Sequence, residues 1–407
     1  MKKLYKRSKK MIPGIVICLL MQLLITSGGL CIAEEEKQLS ADVKTDIIEQ
    51  QSKAGGIDTI KQELDKYADD ESRKLLEGYD PEEIIKGVSE GKLDFNLKGI
   101  ANNALRVLFG ELYQNLGILV KLAVLIVICA LLKNLQTTFL NESVSEIAFY
   151  VCYIVIVSIL LVSFSTAVKM STEIIDEMVG FMYATVPVLI ALLVSGGNIT
   201  TGGIFHPVML MVVEVSATII KNVFIPLIFL STILTIVNNI SDKIQLTRLA
   251  GFIKQITSWA LGIILTAFIA VVSLQGSLGA VVDGVTSKAA KFAISTFIPI
   301  VGKTLSDAAD TVIGCTLLIK NAAGIAVMLG VIVICIVPLI KIIALVALYK
   351  AASALLEPIS EKRITNCIND VAGSMLHIFA VTAAVAFMFM ISVTALISAG
   401  NLSAMLR

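Results

Sequence analysis

The chain reads as an all-α, polytopic membrane helix bundle of about seven to nine membrane segments, preceded by an amino-terminal signal peptide and a small helical extracytoplasmic region. Three observations predict this. Hydrophobic residues make up 56% of the 407 residues and charged ones only 16%, with a mean hydropathy of +0.87, well above globular usage. The apolar residues come in runs near the roughly 20 that cross a bilayer as a helix. The first residues carry the parts of a secretory signal.

That signal comprises a basic stretch with Lys2, Lys3, Lys6, Arg7, Lys9 and Lys10, an apolar run from Ile12 to Ile25, and the small-residue site Cys31-Ile32-Ala33 before Glu34. Residues 1–33 are therefore expected to direct export, with a retained signal anchor as the alternative. Leu30 is too large for lipidation at Cys31 to be expected. Without this segment the chain has 27 basic against 32 acidic residues, so no basic surplus points to nucleic acid.

Residues 34–116 form an acidic extracytoplasmic region, with 19 acids against 11 bases from Glu34 to Asn115. Ile57, Ile60, Leu64 and Tyr67 share one helical face. Asp80-Pro81-Glu82-Glu83 has the cap, the proline and the acids of a helix start. Leu97, Ile100, Ala104, Leu108 and Leu112 form another stripe at helical spacing, which packs on the chain's own spans, on the membrane or on partners.

Residues 117–407 form the polytopic domain. Spans are expected near 117–136, 147–168, 178–195, 205–237, 255–275, 312–338, 339–356 and 371–398. The run 205–237 is too long for an ordinary span and is interrupted by Lys221, Asn222 and Pro226, so it is either one kinked helix or two half-helices. Lys243, Arg248 and Lys254 against Asp242 place loop 238–254 in the cytoplasm by the positive-inside rule. With these spans, counted from a translocated amino-terminal region, that holds only if 205–237 crosses twice or re-enters. Tyr150, Tyr153 and Trp259 stand near span ends, as interfacial aromatics do.

The stretch 276–310 is too polar for plain spans, since Asp283, Lys288, Lys291, Lys303, Asp307 and Asp310 punctuate its surroundings. A re-entrant segment is expected there, because backbone leaving a helix inside hydrocarbon must be buried in protein or line a wet cavity. Gly276, Gly279 and Gly284 are expected to allow close helix packing or a bend.

Pro187, Pro226, Pro299 and Pro338 are candidate helix breaks. Pro187 to Pro226 and Pro299 to Pro338 are equally spaced, and Pro226-Leu227-Ile228 matches Pro338-Leu339-Ile340. These matches suggest two related halves, 147–250 and 255–365, flanking a central pathway. Lys221-Asn222 and Lys320-Asn321 do not fit the same offset.

Charges inside apolar runs are costly and mark partners, protein interior or water. Glu214 and Lys221 share a helical face two turns apart, and with Asp307, Asp310 and Lys320 they form a candidate polar seam or pathway. The competing reading is lysines snorkelling at span ends, favoured for Lys121 and Lys341.

No enzyme is expected, and no cofactor. His206 and His377 lie far apart in the chain, each beside apolar sequence, so neither a zinc site nor a His-based catalytic site is supported. Gly302-Lys303-Thr304 echoes a phosphate loop, but Phe297 stands where the upstream glycine is required. Cys18, Cys129, Cys152, Cys315, Cys335 and Cys367 show no metal-like spacing, and small buried hydrophobes explain them best.

Several runs are nonetheless distinctive. They are Gln275 through Asp283-Gly284, Ala290-Lys291-Phe292, Phe297-Ile298-Pro299, Asp307-Ala308-Ala309-Asp310-Thr311 and Leu318-Ile319-Lys320-Asn321. To these are added Phe205-His206-Pro207-Val208, Pro226 through Ser231 and Ala399-Gly400-Asn401-Leu402. Together they closely resemble the stage III sporulation protein AE family of endospore-forming bacteria, over essentially everything after Gly117.

The resemblance implies a mother-cell protein in the membrane around the forespore. It implies as partners the other stage III sporulation A membrane proteins and a forespore-side protein, together forming a channel or secretion-like apparatus for late forespore gene expression. A stand-alone secondary transporter of a small solute is the alternative. The lack of a dense cluster of intramembrane acids slightly favours the first.

Overall fold

A computed structural model describes residues 57–67, 97–136, 142–240, 246–297 and 302–406. The described residues are almost entirely helical. The helices are α1 (Ile57–Tyr67), α2 (Leu97–Gln136), α3 (Glu142–Ser195), α4 (Ile199–Ile219), α5 (Ile225–Ile240), α6 (Thr247–Phe297), α7 (Gly302–Leu356) and α8 (Lys362–Leu406). A five-residue π-turn, Ile220–Phe224, joins α4 to α5. Among the described residues six stretches are long and apolar enough to cross a membrane, with α4, the π-turn and α5 counting as one.

Among the described residues the eight expected spans fall in six long helical stretches, because two pairs of them fuse. The runs 147–168 and 178–195 both lie in α3, and 312–338 and 339–356 both lie in α7. Between the first pair stands Lys169-Met170-Ser171-Thr172-Glu173-Ile174-Ile175-Asp176-Glu177, which is polar but contains neither Gly nor Pro. Its inward residues Ser171, Ile174 and Ile175 are buried, so tertiary packing carries the helix through it. Pro187 and Pro338 lie inside continuous helices. Pro226 is the second residue of α5, just past the π-turn, while Pro299 falls outside the described residues, as do the expected signal segment and the Asp80 helix start.

The described residues of the stretch 276–310 are helical through Phe297 and again from Gly302, extending two long helices, where irregular re-entrant backbone was expected. The stripe from Leu97 to Leu112 likewise continues without a break into the first span as α2.

The six long helices alternate in direction. Tyr349 on α7 donates to Ser163 on α3 at 2.5 Å, while Phe181 lies against Gly330, so these two helices run antiparallel. Lys320 meets Ile397 and Ser353 meets Thr365, which makes α7 antiparallel to α8. Helix α8 is the centre: Ile378, Val381, Phe387, Met388, Phe389 and Ile391 are all buried. Around it pack α7, α6, α3 and α5, with α2 outside α7 and α3.

Short α1 lies on α3 and α7. As its periodicity predicts, Ile60 and Leu64 are buried, with Leu64 against Gly330 and the Tyr67 hydroxyl against Gly180. Tyr153 is buried in the bundle rather than interfacial, whereas Trp259 is exposed. Cys129, Cys315, Cys335 and Cys367 are buried, and no disulfide forms among the described cysteines.

Candidate functional site

The α3–α4 hairpin turns within three residues. Gly197 adopts φ 78°, a left-handed conformation that costs glycine little. The amides of Gly196, Gly197 and Asn198 return to the carbonyls of Leu192, Val194 and Leu193, closing the end of α3. No side chain from the turn caps α4. The cap comes instead from α6: Asp283 Oδ1 accepts from the Thr200 amide at 2.9 Å and Oδ2 from the Thr201 amide at 2.8 Å. A carboxylate thus meets the positive end of the α4 dipole. Gly279, one turn earlier on α6, lets the two helices close, since a Cβ there would stand 3.0 Å from the Thr201 Cα. The next residue after Asp283, Gly284, packs against Ser403 and Leu406 of α8 in the same manner.

From this turn α3 and α4 run side by side in antiparallel register. Tyr183 donates to Glu214 at 3.1 Å, and Lys221 donates to both oxygens of Asp176 at 2.6 Å. Glu214 and Lys221 do share a face, as their spacing predicts, yet each bonds a partner on α3 rather than the other. The partners Asp176 and Tyr183 are themselves two turns apart, as antiparallel matching requires.

The π-turn holds Lys221 in this position. Pro226 has no amide hydrogen for the carbonyl four residues back, and the Ile225 amide bonds Ile220 five residues back. The extra residue in the turn is the usual consequence of such a break. Thr218 also donates to Glu214, at 3.3 Å, and Lys169 lies 3.7 Å from Glu173 on α3.

These groups face outwards. Lys169, Glu173, Asp176 and Lys221 have side-chain exposures of 76%, 55%, 58% and 36%, and Tyr183 is also exposed. They nevertheless lie deep along the helices. Asp176 is roughly 28 Å from the end of α3 at Ser195, and Lys169 roughly 40 Å from its start, at about 1.5 Å per residue. Around the same height Lys341 of α7 lies 3.8 Å from Glu111 of α2. Each charge would cost about 2.5–3.5 kcal/mol if turned to lipid at mid-bilayer. Such a face is suited to water or a polar partner.

The other candidate residues lie elsewhere. Lys320 is fully buried between α7 and α8, where its ammonium donates to the Ile397 carbonyl at 2.8 Å and the Asn401 side-chain oxygen at 3.4 Å. Gly400 makes room for it, because a Cβ there would collide with Nζ. Asp310 pairs with Lys291 at 2.6 Å across the α6–α7 hairpin. Asp307 is exposed near the start of α7. Sequence reasoning proposed Glu214 and Lys221 for a seam but did not single out Asp176, which fell in an expected loop, or Tyr183, which fell inside the expected span 178–195. It also missed the capping role of Asp283.

Comparison with known proteins agrees with the sequence pattern. The chain is similar to the stage III sporulation protein AE of Bacillus subtilis (strain 168), at 41% identity over 303 residues, covering 74% of this chain and 75% of that protein. No solved structure matches. A model of the family described as stage III sporulation protein AE matches residues 79–400. That match starts within the acidic region, well before Gly117, and includes the α3–α4 seam, Asp283 and Lys320. With most of its length matched, the chain belongs to the stage III sporulation protein AE family.

Proposed function

We propose that this chain is a multi-pass subunit of the channel or secretion-like complex between mother cell and forespore, needed for endospore formation and late forespore gene expression. Membership of a sporulation family supports the setting. The observation that carries the conduit role is the exposed, ion-paired face of α3 and α4 midway along helices otherwise apolar enough for a bilayer. The protein acts in the mother-cell membrane around the forespore, with the other stage III sporulation A proteins and a forespore-side partner.

The fused α3 supports one orientation. Counting from an extracytoplasmic start of α2, a single α3 brings residues 241–246 to the cytoplasm with 205–237 crossing once. Lys243, Arg248 and Lys254 then lie on the side that the positive-inside rule favours.

The test is thiol accessibility in sporulating cells, using full-length protein lacking its native cysteines. Single cysteines at Tyr183 and Thr172 are expected to react with a membrane-impermeant maleimide, while one at fully buried Ala167 stays inert. If Tyr183→Cys and Thr172→Cys are as inert as Ala167→Cys, the conduit reading fails. Solute uptake by the purified chain in vesicles, lost on neutralising Glu214 or Lys221, would favour the stand-alone transporter.

A further inference from the structure

One copy of this chain has no room for a passage through its middle, because α8 occupies the axis and its large side chains are buried. The polar face lies on the outside, on α3 and α4. To one side α3 packs against α2, and to the other α4 packs against α6. Both flanking helices expose continuous apolar stripes. On α6 the stripe includes Leu249, Phe252, Ile256, Trp259, Leu278 and Val285, and on α2 it includes Leu105, Phe109, Tyr113, Val120 and Leu131.

Lipid alone does not account for the α6 stripe. From Leu249 to Val285 it measures about 54 Å at 1.5 Å per residue, against a hydrocarbon thickness of about 30 Å. Even tilted by about 40°, near the upper limit for membrane helices, it projects to about 41 Å. Part of it therefore calls for protein cover.

We infer that the cover is a second copy of this chain. The α6 edge of one copy packs on the α2 edge of the next, and repetition closes a ring whose lumen is lined by the α3–α4 polar faces. Such a head-to-tail contact covers the Leu105–Val120 part of one stripe with the Leu249–Ile263 part of the other and turns the charged face between them inwards, where a self-paired two-fold contact covers only one stripe. The heights agree. Glu111 of α2 lies level with Lys341, and tracing from α7 through α8 to α6 by the Lys320–Ile397 and Gly284–Ser403 contacts brings Phe109 level with Trp259.

The inference rests on the conduit reading, since it says what encloses that conduit.

Disulfide crosslinking in native membranes of sporulating cells tests it, with full-length protein free of its native cysteines. Chains carrying both Phe109→Cys and Trp259→Cys are expected to oxidise into a ladder of dimers and larger species. Co-expressed single variants are expected to stop at dimers, and Phe109→Cys with Leu278→Cys, roughly 28 Å out of level, to give none. Leu105→Cys with Ile263→Cys provides a second level pair should the first fold poorly.

Dimers from Trp259→Cys alone, with nothing larger from the double variant, mean two-fold pairing and overturn the ring. Monomers throughout, or crosslinks only to another protein, overturn it too. Maleimide labelling at Tyr183 separates the two readings. Labelling without a ladder retains the conduit and removes the ring, whereas a ladder without labelling leaves an assembly that encloses no water.

Discussion

Asp283 offers the sharpest test of how the bundle is held together, because a single side chain on α6 starts α4. Replacement by alanine removes two acceptors at 2.9 and 2.8 Å and leaves the Thr200 and Thr201 amides unmatched at a helix end where Thr201 is buried. Loss of a helix cap costs about 0.5–2 kcal/mol, and each hydrogen bond to a charged group is worth about 1.5–3 kcal/mol net. Relief of the buried carboxylate's desolvation offsets part of this, so about 2–3 kcal/mol is expected for Asp283→Ala. Asp283→Asn keeps one acceptor oxygen and should lose about half as much. The assay is detergent-induced unfolding of the full chain in mixed micelles. Its single tryptophan, Trp259 on α6, provides the fluorescence signal. Asp307→Ala, an exposed control, should stay within about 0.5 kcal/mol of the parent. If Asp283→Ala is no more destabilising than Asp307→Ala, the capping argument is wrong.

Other expectations follow from the same contacts. Gly279→Ala should lose about 1–3 kcal/mol in that assay, since its methyl meets the Thr201 backbone. Gly262→Ala, with nothing within 4 Å, should be neutral or gain up to about 1 kcal/mol from helix propensity. Lys320→Met should lie within about 1 kcal/mol of the parent or exceed it, because it removes a buried ammonium with no carboxylate bonded to it and keeps the side chain's volume. A loss of several kcal/mol would mean that the bonds to Ile397 and Asn401 outweigh desolvation. A double-mutant cycle on Asp176 and Lys221 in vesicles should give a coupling below about 1 kcal/mol that shrinks with added salt, as for a pair in water. A large, salt-insensitive coupling would place the pair away from water.

The helical class, the membrane character and the family were all legible in the sequence. Long apolar runs have few structural solutions in lipid, since a helix satisfies its own amides, and the periodicity of Ile57, Ile60, Leu64 and Tyr67 was enough to identify the buried face of α1. Close packing at Gly279 and Gly284 was also foreseeable, because small residues between polar ones have few other uses in a span. Hydropathy was misleading at Lys169 to Glu177, where a polar interruption looks like a loop. Whether a helix continues through such a segment depends on what packs against its inner side.

Sequence by itself determined that the apolar runs are helical, that the helices suit a membrane, and that Glu214 and Lys221 are spaced to share a face. These are local properties of hydrogen bonding and of the 3.6-residue period. Only the tertiary structure decided how many helices carry the apolar runs, that Lys221 pairs with Asp176 and Glu214 with Tyr183, that Asp283 caps a helix remote in sequence, and that Lys320 is buried apart from the seam. Each of these depends on which side chains from distant parts of the chain arrive within about 3 Å, the range in which a hydrogen bond forms. Spacing along a single helix carries no record of that.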